Sequence, residues 1–177
     1  MNENIVLIGM PGSGKSTIGY MLSKKLNMNF IDMDGYIEQN ENKSIKEMFQ
    51  ISEEYFRDAE TRNSIALSKL NLHVIATGGG IVKRQENIKS FKESSIIVFI
   101  NRPLSNIMQD IDTDIRPLLS DGKAKLYQLY NERIDLYKEY CDIEILNDSK
   151  ISDAVDQIIK LLSNEIENNK YDKNKAL

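Results

Sequence analysis

Short apolar runs alternate with longer amphipathic stretches along most of the chain. The runs typical of strands are residues 5–8, 30–31, 72–76, 96–100 and 143–146. Between them, apolar residues recur at the helical spacing of three to four, and the predicted helices are residues 15–26, 44–49, 53–70, 126–139 and 151–162. Strands separated by helices indicate an α/β fold with a parallel sheet that is covered on both faces.

The length and the end of the chain set the domain organisation. A chain of 177 residues suits a single hydrophobic core, and no internal repeat or linker divides it. From Asn164 onward the residues are mostly polar and offer little to bury. We therefore expect one domain over residues 1–163, followed by a frayed or disordered tail over residues 164–177.

The run Gly9-Met10-Pro11-Gly12-Ser13-Gly14-Lys15-Ser16 links the first predicted strand to the first predicted helix and fits the phosphate-loop pattern G-x-x-x-x-G-K-[ST]. Its glycines let backbone N–H groups turn toward phosphates, and the helix start adds the positive end of its dipole. In this pattern Lys15 contacts the β- and γ-phosphates and Ser16 ligates Mg²⁺. A plain glycine-rich turn would need neither residue at these offsets, so the run predicts binding of a nucleoside triphosphate. The predicted contacts are Gly12, Ser13, Gly14, Lys15, Ser16 and Thr17.

Two carboxylates, Asp32 and Asp34, follow the second predicted strand. Ligands of open α/β sheets bind at the carboxyl ends of the strands, so both would lie beside the phosphate loop. One could hold Mg²⁺ while the other orients or deprotonates a substrate hydroxyl. On these residues alone, a pair of helix-capping aspartates is an equal alternative. The phosphate loop favours the functional interpretation.

Three consecutive glycines, Gly78, Gly79 and Gly80, follow the third predicted strand. Such a run loses much backbone entropy on folding, so it indicates close approach of a ligand or another chain segment. Arg57, with Glu60 three residues later, and Arg133 carry no comparable signal, because each could lie on a solvated helix face.

The run Arg116-Pro117-Leu118-Leu119 lies in a polar stretch that is typical of a mobile loop. An arginine there could move over the γ-phosphate and exclude water from the transfer reaction. A loop that is merely anchored by its two leucines is the alternative.

Composition narrows the possible partners and the compartment. The formal net charge is −4 with 28% charged residues, so the chain has no basic excess for nucleic acid. It has no apolar stretch of membrane-spanning length and no leader pattern at its start, and we expect a cytoplasmic protein without membrane contact. Cys141 is the single cysteine, which excludes an internal disulfide and fits a reducing compartment.

Taken together, these motifs resemble those of the shikimate kinases, small P-loop enzymes with a fold like that of nucleoside-monophosphate kinases. The shared motifs, in order, are residues 9–17, Asp32-x-Asp34, Glu53-x-x-Phe56-Arg57-x-x-Glu60, Ile75-Ala76-Thr77-Gly78-Gly79-Gly80, Arg116-Pro117-Leu118-Leu119 and Arg133-x-x-x-Tyr137. The resemblance implies a three-layer α/β fold with a five-stranded parallel sheet. It also implies a substrate-binding region at about residues 33–61 and a mobile lid at about residues 110–123.

The resemblance further implies an activity and roles for single residues. The implied reaction moves the γ-phosphoryl group of ATP to the 3-hydroxyl of shikimate, in the pathway to chorismate and aromatic amino acids, and we expect a monomer. Lys15 and Arg116 would stabilise the transferred group, Ser16 would bind Mg²⁺, and Asp32 would hold the ion through water.

On the acceptor side, the resemblance implies that Asp34 holds the shikimate hydroxyls and acts as the base. Arg57 and Arg133 would bind the carboxylate, a task that suits planar guanidinium groups. The remaining implied contacts are the backbone of Gly78, Gly79 and Gly80 and the apolar walls Phe49 and Phe56.

The chain departs from the family pattern at two places. Ser52 stands where the family usually has glycine, and it still offers a helix N-cap. Residues 107–111 contain no arginine, although many members carry one there that packs on adenine.

Two other functions remain as alternatives. One is a kinase of the same fold that acts on gluconate or a nucleoside monophosphate. The other is a GTP-dependent switch, because residues 32–35 fit D-x-x-G and Asn169-Lys170-Tyr171-Asp172 fits N-K-x-D. The first match comes too soon after the phosphate loop and the second lies in the polar tail, so we interpret both as accidental.

Overall fold

A parallel sheet organises the computed structural model, which describes the backbone of residues 3–110 and 122–175 and the side chains of residues 3–110 and 123–164. The strands are β1 (Asn4–Ile8), β2 (Asn29–Asp32), β3 (His73–Ala76), β4 (Ser95–Asn101) and β5 (Ile143–Leu146). They lie in the order β2-β3-β1-β4-β5, and each neighbouring pair is parallel. The predicted five-stranded parallel sheet is confirmed.

Helices connect the strands and cover the sheet. They are α1 (Lys15–Leu26), α2 (Met33–Glu41), α3 (Ile45–Ile51), α4 (Glu53–Leu67), α5 (Gln85–Lys92), α6 (Leu104–Asp110), α7 (Gly122–Tyr140) and α8 (Ile151–Lys175), with a 3₁₀ turn at Ile81–Lys83. The hydrophobic pattern did not predict α2, α5 or α6. These helices have only 9, 8 and 7 residues and bury few apolar side chains, so each is too short to show a helical spacing of apolar positions.

The side chains of β1 point alternately to the two faces of the sheet, and the core has one layer on each face. Ile5 and Leu7 pack with α1 and α8 on one face of the sheet. Val6 and Ile8 pack on the other face, where the large buried side chains include Phe91 of α5. Successive strand side chains point to opposite faces, so the uniformly apolar strand is what a sheet covered on both faces requires.

The phosphate loop joins β1 to α1 through backbone that favours glycine. Gly9 has φ 146° and Gly14 has φ 94°, both in the region that L side chains rarely adopt. A Cβ atom on Gly9 would lie 2.6 Å from the carbonyl oxygen of Ile100, at the end of β4. The loop therefore passes directly over the neighbouring strand.

Parts of two sequence predictions fall outside the described residues. Residues 111–121 are among them, and so are Arg116 and most of the predicted lid at 110–123. Helix α8 continues past the predicted end at residue 162 to Lys175, while fraying of residues 164–177 and the single domain over 1–163 stay predictions.

Within the described residues, no helix combines the length and apolarity that crossing a membrane requires.

The close approach at Gly9 generates a stability prediction. We expect Gly9→Ala to lower the free energy of unfolding by about 2 kcal/mol or more, because the added Cβ meets a backbone oxygen in a strained conformation. Gly35→Ala is the matched control, since a Cβ at Gly35 would have no atom within 4 Å. Because Gly35 lies in helix α2, replacing it with alanine should raise the free energy of unfolding by up to about 1 kcal/mol. Urea unfolding measures both, and equal stabilities would contradict the prediction.

Candidate active site

Lys15 folds back over the phosphate loop. Its Nζ donates to the carbonyl oxygens of Gly9 and Met10, each at 2.9 Å, and lies 3.5 Å from the Ser13 hydroxyl. The residue is only 7% exposed. The ammonium group is thus held against the backbone of the phosphate loop, beside Ser13.

Ser16 and Asp32 join the phosphate loop to the end of β2. The Ser16 hydroxyl donates to Asp32 Oδ2 at 2.6 Å, and Asp32 Oδ1 accepts the backbone N–H of Asp34 at 3.2 Å. Asp32 is therefore also the N-cap of α2, so the functional and the capping interpretations of this residue are both compatible with its geometry.

The same pair of oxygens suits a magnesium ion. A hydroxyl and a carboxylate are the hard donors that Mg²⁺ takes, and this ion commonly keeps waters and phosphate oxygens as its other ligands. Among the described side chains, residues 3–110 and 123–164, no group of three or more His, Cys, Asp or Glu could hold a metal by itself. Ser16 and Asp32 fit an ion that arrives with a nucleotide.

Asp34 lies on the first turn of α2 against the glycine run. A Cβ atom on Gly78 would be 2.8 Å from Asp34 Oδ1, so only glycine allows this contact. Burial raises the pKa of Asp34, the neighbouring Asp32 charge raises it further, and Lys15 and Arg57 act in the opposite direction. The carboxylate thus lies among charges of the phosphate loop and of helix α4.

Arg57 is buried within helix α4. Its Nη1 donates to Glu60 Oε2 at 2.7 Å, and both side chains are nearly inaccessible, with 8% and 2% exposure. Its guanidinium lies 5.0 Å from the ring centroid of Phe56 and 6.0 Å from that of Phe49. The solvated surface pair that sequence spacing allowed is therefore wrong for Arg57 and Glu60.

Burial has a cost for this pair, and the pKa of Glu60 reflects it. Desolvation raises the pKa of Glu60, while the charge and hydrogen bond of Arg57 lower it. A Cβ on Gly80 would collide with the Arg57 guanidinium. The Arg57 guanidinium thus lies between the buried Glu60 carboxylate, two phenylalanine rings and the backbone of Gly80.

Arg133 and Tyr137 of helix α7 meet at a single carbonyl group. Arg133 Nη1 donates to the Gly79 oxygen at 3.0 Å, and the Tyr137 hydroxyl donates to the same oxygen at 2.5 Å. Burial raises the pKa of Tyr137 to about 12, so it remains a donor. Arg133 Nε is buried and has no hydrogen-bond partner among the described residues.

Sequence reasoning missed several residues around the phosphate loop. Asn147 Nδ2 donates to the Ser13 carbonyl at 2.9 Å, and Arg102 Nη1 donates to the Gly12 carbonyl at 3.1 Å. Each residue directly follows an apolar strand, which is the signal that could have found it. Tyr137 was noted for its spacing from Arg133 but received no role.

The departure at Ser52 is structurally neutral. The Ser52 hydroxyl accepts the backbone N–H of Tyr55 at 3.0 Å, so it caps helix α4 as expected. Phe49 and Phe56 stack with ring centroids 4.7 Å apart beneath Arg57. Helix α4 thus begins in the register that buries Arg57.

Comparison with known proteins agrees with this geometry. A family model described as shikimate kinase matches residues 11–163. The chain belongs to the shikimate kinase family. It is similar to the shikimate kinase of Clostridium beijerinckii, with 46% identity over 169 residues that cover 96% of this chain and 100% of the relative. That of a type E3 Clostridium botulinum strain is 44% identical and covers 93% of this chain and 99% of the relative.

Solved structures give the same family. Shikimate kinase from Acinetobacter baumannii, in complex with shikimate, has a TM-score of 0.88 at 30% identity, over 93% of this chain and 95% of that one. A gluconokinase from Sinorhizobium meliloti, at 13% identity and a TM-score of 0.58, shares the fold alone. The predicted P-loop kinase fold is confirmed, and the family makes the protein a phosphotransferase that acts on a hydroxyl group.

The buried pair of Arg57 and Glu60 generates a second prediction. We expect Glu60→Ala to lower the free energy of unfolding by about 3 kcal/mol, because it leaves a buried guanidinium without its closest counter-charge. Glu54→Ala on the same helix is the control. Glu54 is 78% exposed and shares Arg84 with Asp58, so its loss should cost less than about 1 kcal/mol. If thermal or urea unfolding showed equal losses of stability for Glu60→Ala and Glu54→Ala, the prediction would be contradicted.

Proposed function

We propose that the protein transfers the γ-phosphoryl group of ATP to the 3-hydroxyl of shikimate. Three charged side chains, Asp34, Arg57 and Arg133, converge on the glycine run beside the phosphate loop, and this convergence supports the proposal. Two cations and one anion suit an acceptor with a carboxylate and neighbouring hydroxyls. The complex of the Acinetobacter baumannii relative with shikimate supports the same acceptor.

On the acceptor side, Arg57 and Arg133 bind the carboxylate in this proposal. Their guanidinium groups lie against adjacent residues of one strip, Gly80 and the Gly79 carbonyl, and the buried Nε of Arg133 offers a further donor. Planar guanidinium groups make paired, charge-assisted bonds to a carboxylate. The missing Cβ atoms of the strip let Asp34 and Arg57 approach its backbone closely.

Asp34 orients the hydroxyls and accepts the proton of the attacking oxygen. Its carboxylate lies at Gly78 on the side of the strip that faces α2, within the electrostatic influence of both Lys15 and Arg57. A positioned carboxylate that accepts the hydroxyl proton is a recurring part of phosphoryl transfer.

On the donor side, the phosphate loop and Lys15 bind the nucleotide phosphates. Ser16 and Asp32 would hold Mg²⁺, Asp32 through water, and the ion when bound neutralises phosphate charge. We further propose that Arg116, which lies outside the described residues, stabilises the transferred group from the lid. A cytoplasmic location, a monomeric state and the absence of nucleic-acid partners complete the proposal.

An acceptor screen with purified protein tests the proposal. ADP release with ATP should require shikimate, and gluconate and nucleoside monophosphates should be inert. Arg57→Ala or Arg133→Ala should raise the shikimate KM by about tenfold or more with little change in the KM for ATP, because each removes a charge-assisted bond to the carboxylate. Arg62→Ala, a 57% exposed arginine on the same helix as Arg57, is the control.

Two results would contradict this assignment. Turnover of gluconate or a nucleoside monophosphate with shikimate inert would leave only a P-loop kinase of another specificity. If both arginine variants instead changed only the KM for ATP, the arginines would belong to the nucleotide site and the acceptor would be held elsewhere.

Lys15→Met tests the donor side. We expect the folded variant to lose phosphoryl transfer, because the substitution removes the positive charge that meets the β- and γ-phosphates and keeps the bulk of the side chain. Coupled ADP release measures the activity, and circular dichroism checks the fold. A folded variant with wild-type turnover would remove Lys15 from the mechanism.

A further inference from the structure

Arg57 is bordered by a second carboxylate besides Glu60. Glu53, one turn earlier on α4, places Oε1 3.4 Å from both Nε and Nη2 of Arg57. This separation exceeds the usual length of a charge-assisted hydrogen bond, about 2.7–2.9 Å. Glu53 is close to the guanidinium without being tightly bound to it.

The same Glu53 oxygen is held from the other side by Lys83. Lys83 Nζ donates to Glu53 Oε1 at 2.5 Å, and this bond is the largest cause that lowers the pKa of Glu53. Lys83 ends the 3₁₀ turn that follows the glycine run, and its backbone N–H donates to the Gly80 carbonyl at 3.0 Å. The lysine is therefore fixed to the same turn as the backbone against which Arg57 lies.

The contact between Lys83 and Glu53 matters because of the charges around Arg57. Glu53 and Glu60 together carry two negative charges beside a single guanidinium when both are ionised. These three groups alone sum to one negative charge, and Arg133, whose charge also reaches Glu60, offsets it from helix α7. Lys83 is the cation that contacts Glu53, and the pair lies at the rim, with 38% and 52% exposed side chains.

We propose that Lys83 is a positioning residue for the acidic acceptor, because it holds the Glu53 carboxylate off Arg57 and offsets its charge. Arg57 thereby keeps its attraction for the substrate carboxylate. This role rests on the proposed function of Arg57. Lys83 itself acts through Glu53, and its loss lets Glu53 rotate onto Arg57 and compete with the substrate for the same N–H groups.

A double-mutant cycle in the full-length protein tests the role of Lys83. Lys83→Met should raise the shikimate KM about fivefold, with kcat and the KM for ATP within about twofold of wild type. Lys83→Arg should stay near wild type, because it retains the cation. The double variant Glu53→Gln/Lys83→Met should recover the wild-type shikimate KM to within about twofold, since the competing charge is gone.

The matched control is Lys25→Met. Lys25 pairs with Asp156 at 2.6 Å across α1 and α8 and is similarly exposed, at 44%, but it lies on the other side of the sheet. It should leave the shikimate KM unchanged. Rising salt should weaken shikimate binding less in Lys83→Met than in wild type, because less net positive charge remains to be screened.

Three outcomes separate the possible failures. An unchanged shikimate KM in Lys83→Met, with Arg57→Ala still strongly impaired, would overturn the role of Lys83 and leave the proposed function standing. A double variant as impaired as Lys83→Met would also overturn it, because the lysine would then act without Glu53. If Arg57→Ala itself left the shikimate KM unchanged, the proposed function of Arg57 would fail first.

Discussion

The candidate site depends on the missing Cβ atoms of Gly78, Gly79 and Gly80. Each position packs against a different partner: the Asp34 carboxylate, the ring of Pro11 and the Arg57 guanidinium. Added Cβ atoms would come within 2.8 Å of the first and 2.6 Å of the second, so side chains here would force apart the elements that carry the charges. The strip holds α2, α4 and the phosphate loop at fixed spacing with backbone alone, and the entropy that three glycines lose on folding is the cost of that spacing.

Electrostatics determines what such a strip can bind. Arg57 and Glu60 are buried together, and an isolated charge at either position would carry a large desolvation penalty. Burial also fixes the guanidinium, because Phe49, Phe56 and Glu60 restrict its rotation before any ligand arrives. Prior ordering of this kind lowers the entropy that a ligand must remove on binding. Rigidity and charge therefore come from the same contacts.

The sequence predicted the parts of the molecule whose signal is local. The phosphate loop, the five strands and the glycine run each occupy consecutive residues, and each has a physical reason at that spacing. The burial of Arg57 could not be predicted this way, because it depends on Phe49, Gly80 and α4 meeting in space. Tyr137 received no role and Lys83 was not noted for the same reason, since each contacts a residue far away in the sequence, Gly79 and Glu53. Only the family motif, taken as a whole, signalled that Arg57 and Arg133 belong to one site.

The phosphate loop shows how a local motif still needs distant support. Its backbone is held from the ends of two strands: at β4 the Ile100 carbonyl lies close to Gly9 and Arg102 donates to Gly12, and at β5 Asn147 donates to Ser13. Asn147 is only 4% exposed, and its amide also fits within 3.1 Å of the Cβ position of Gly14. Because parallel strands bring their carboxyl ends to one edge, β4 and β5 can each supply a side chain that fixes the loop. The carbonyls of Gly12 and Ser13 are thus satisfied from the sheet side, and those of Gly9 and Met10 by Lys15 within the loop.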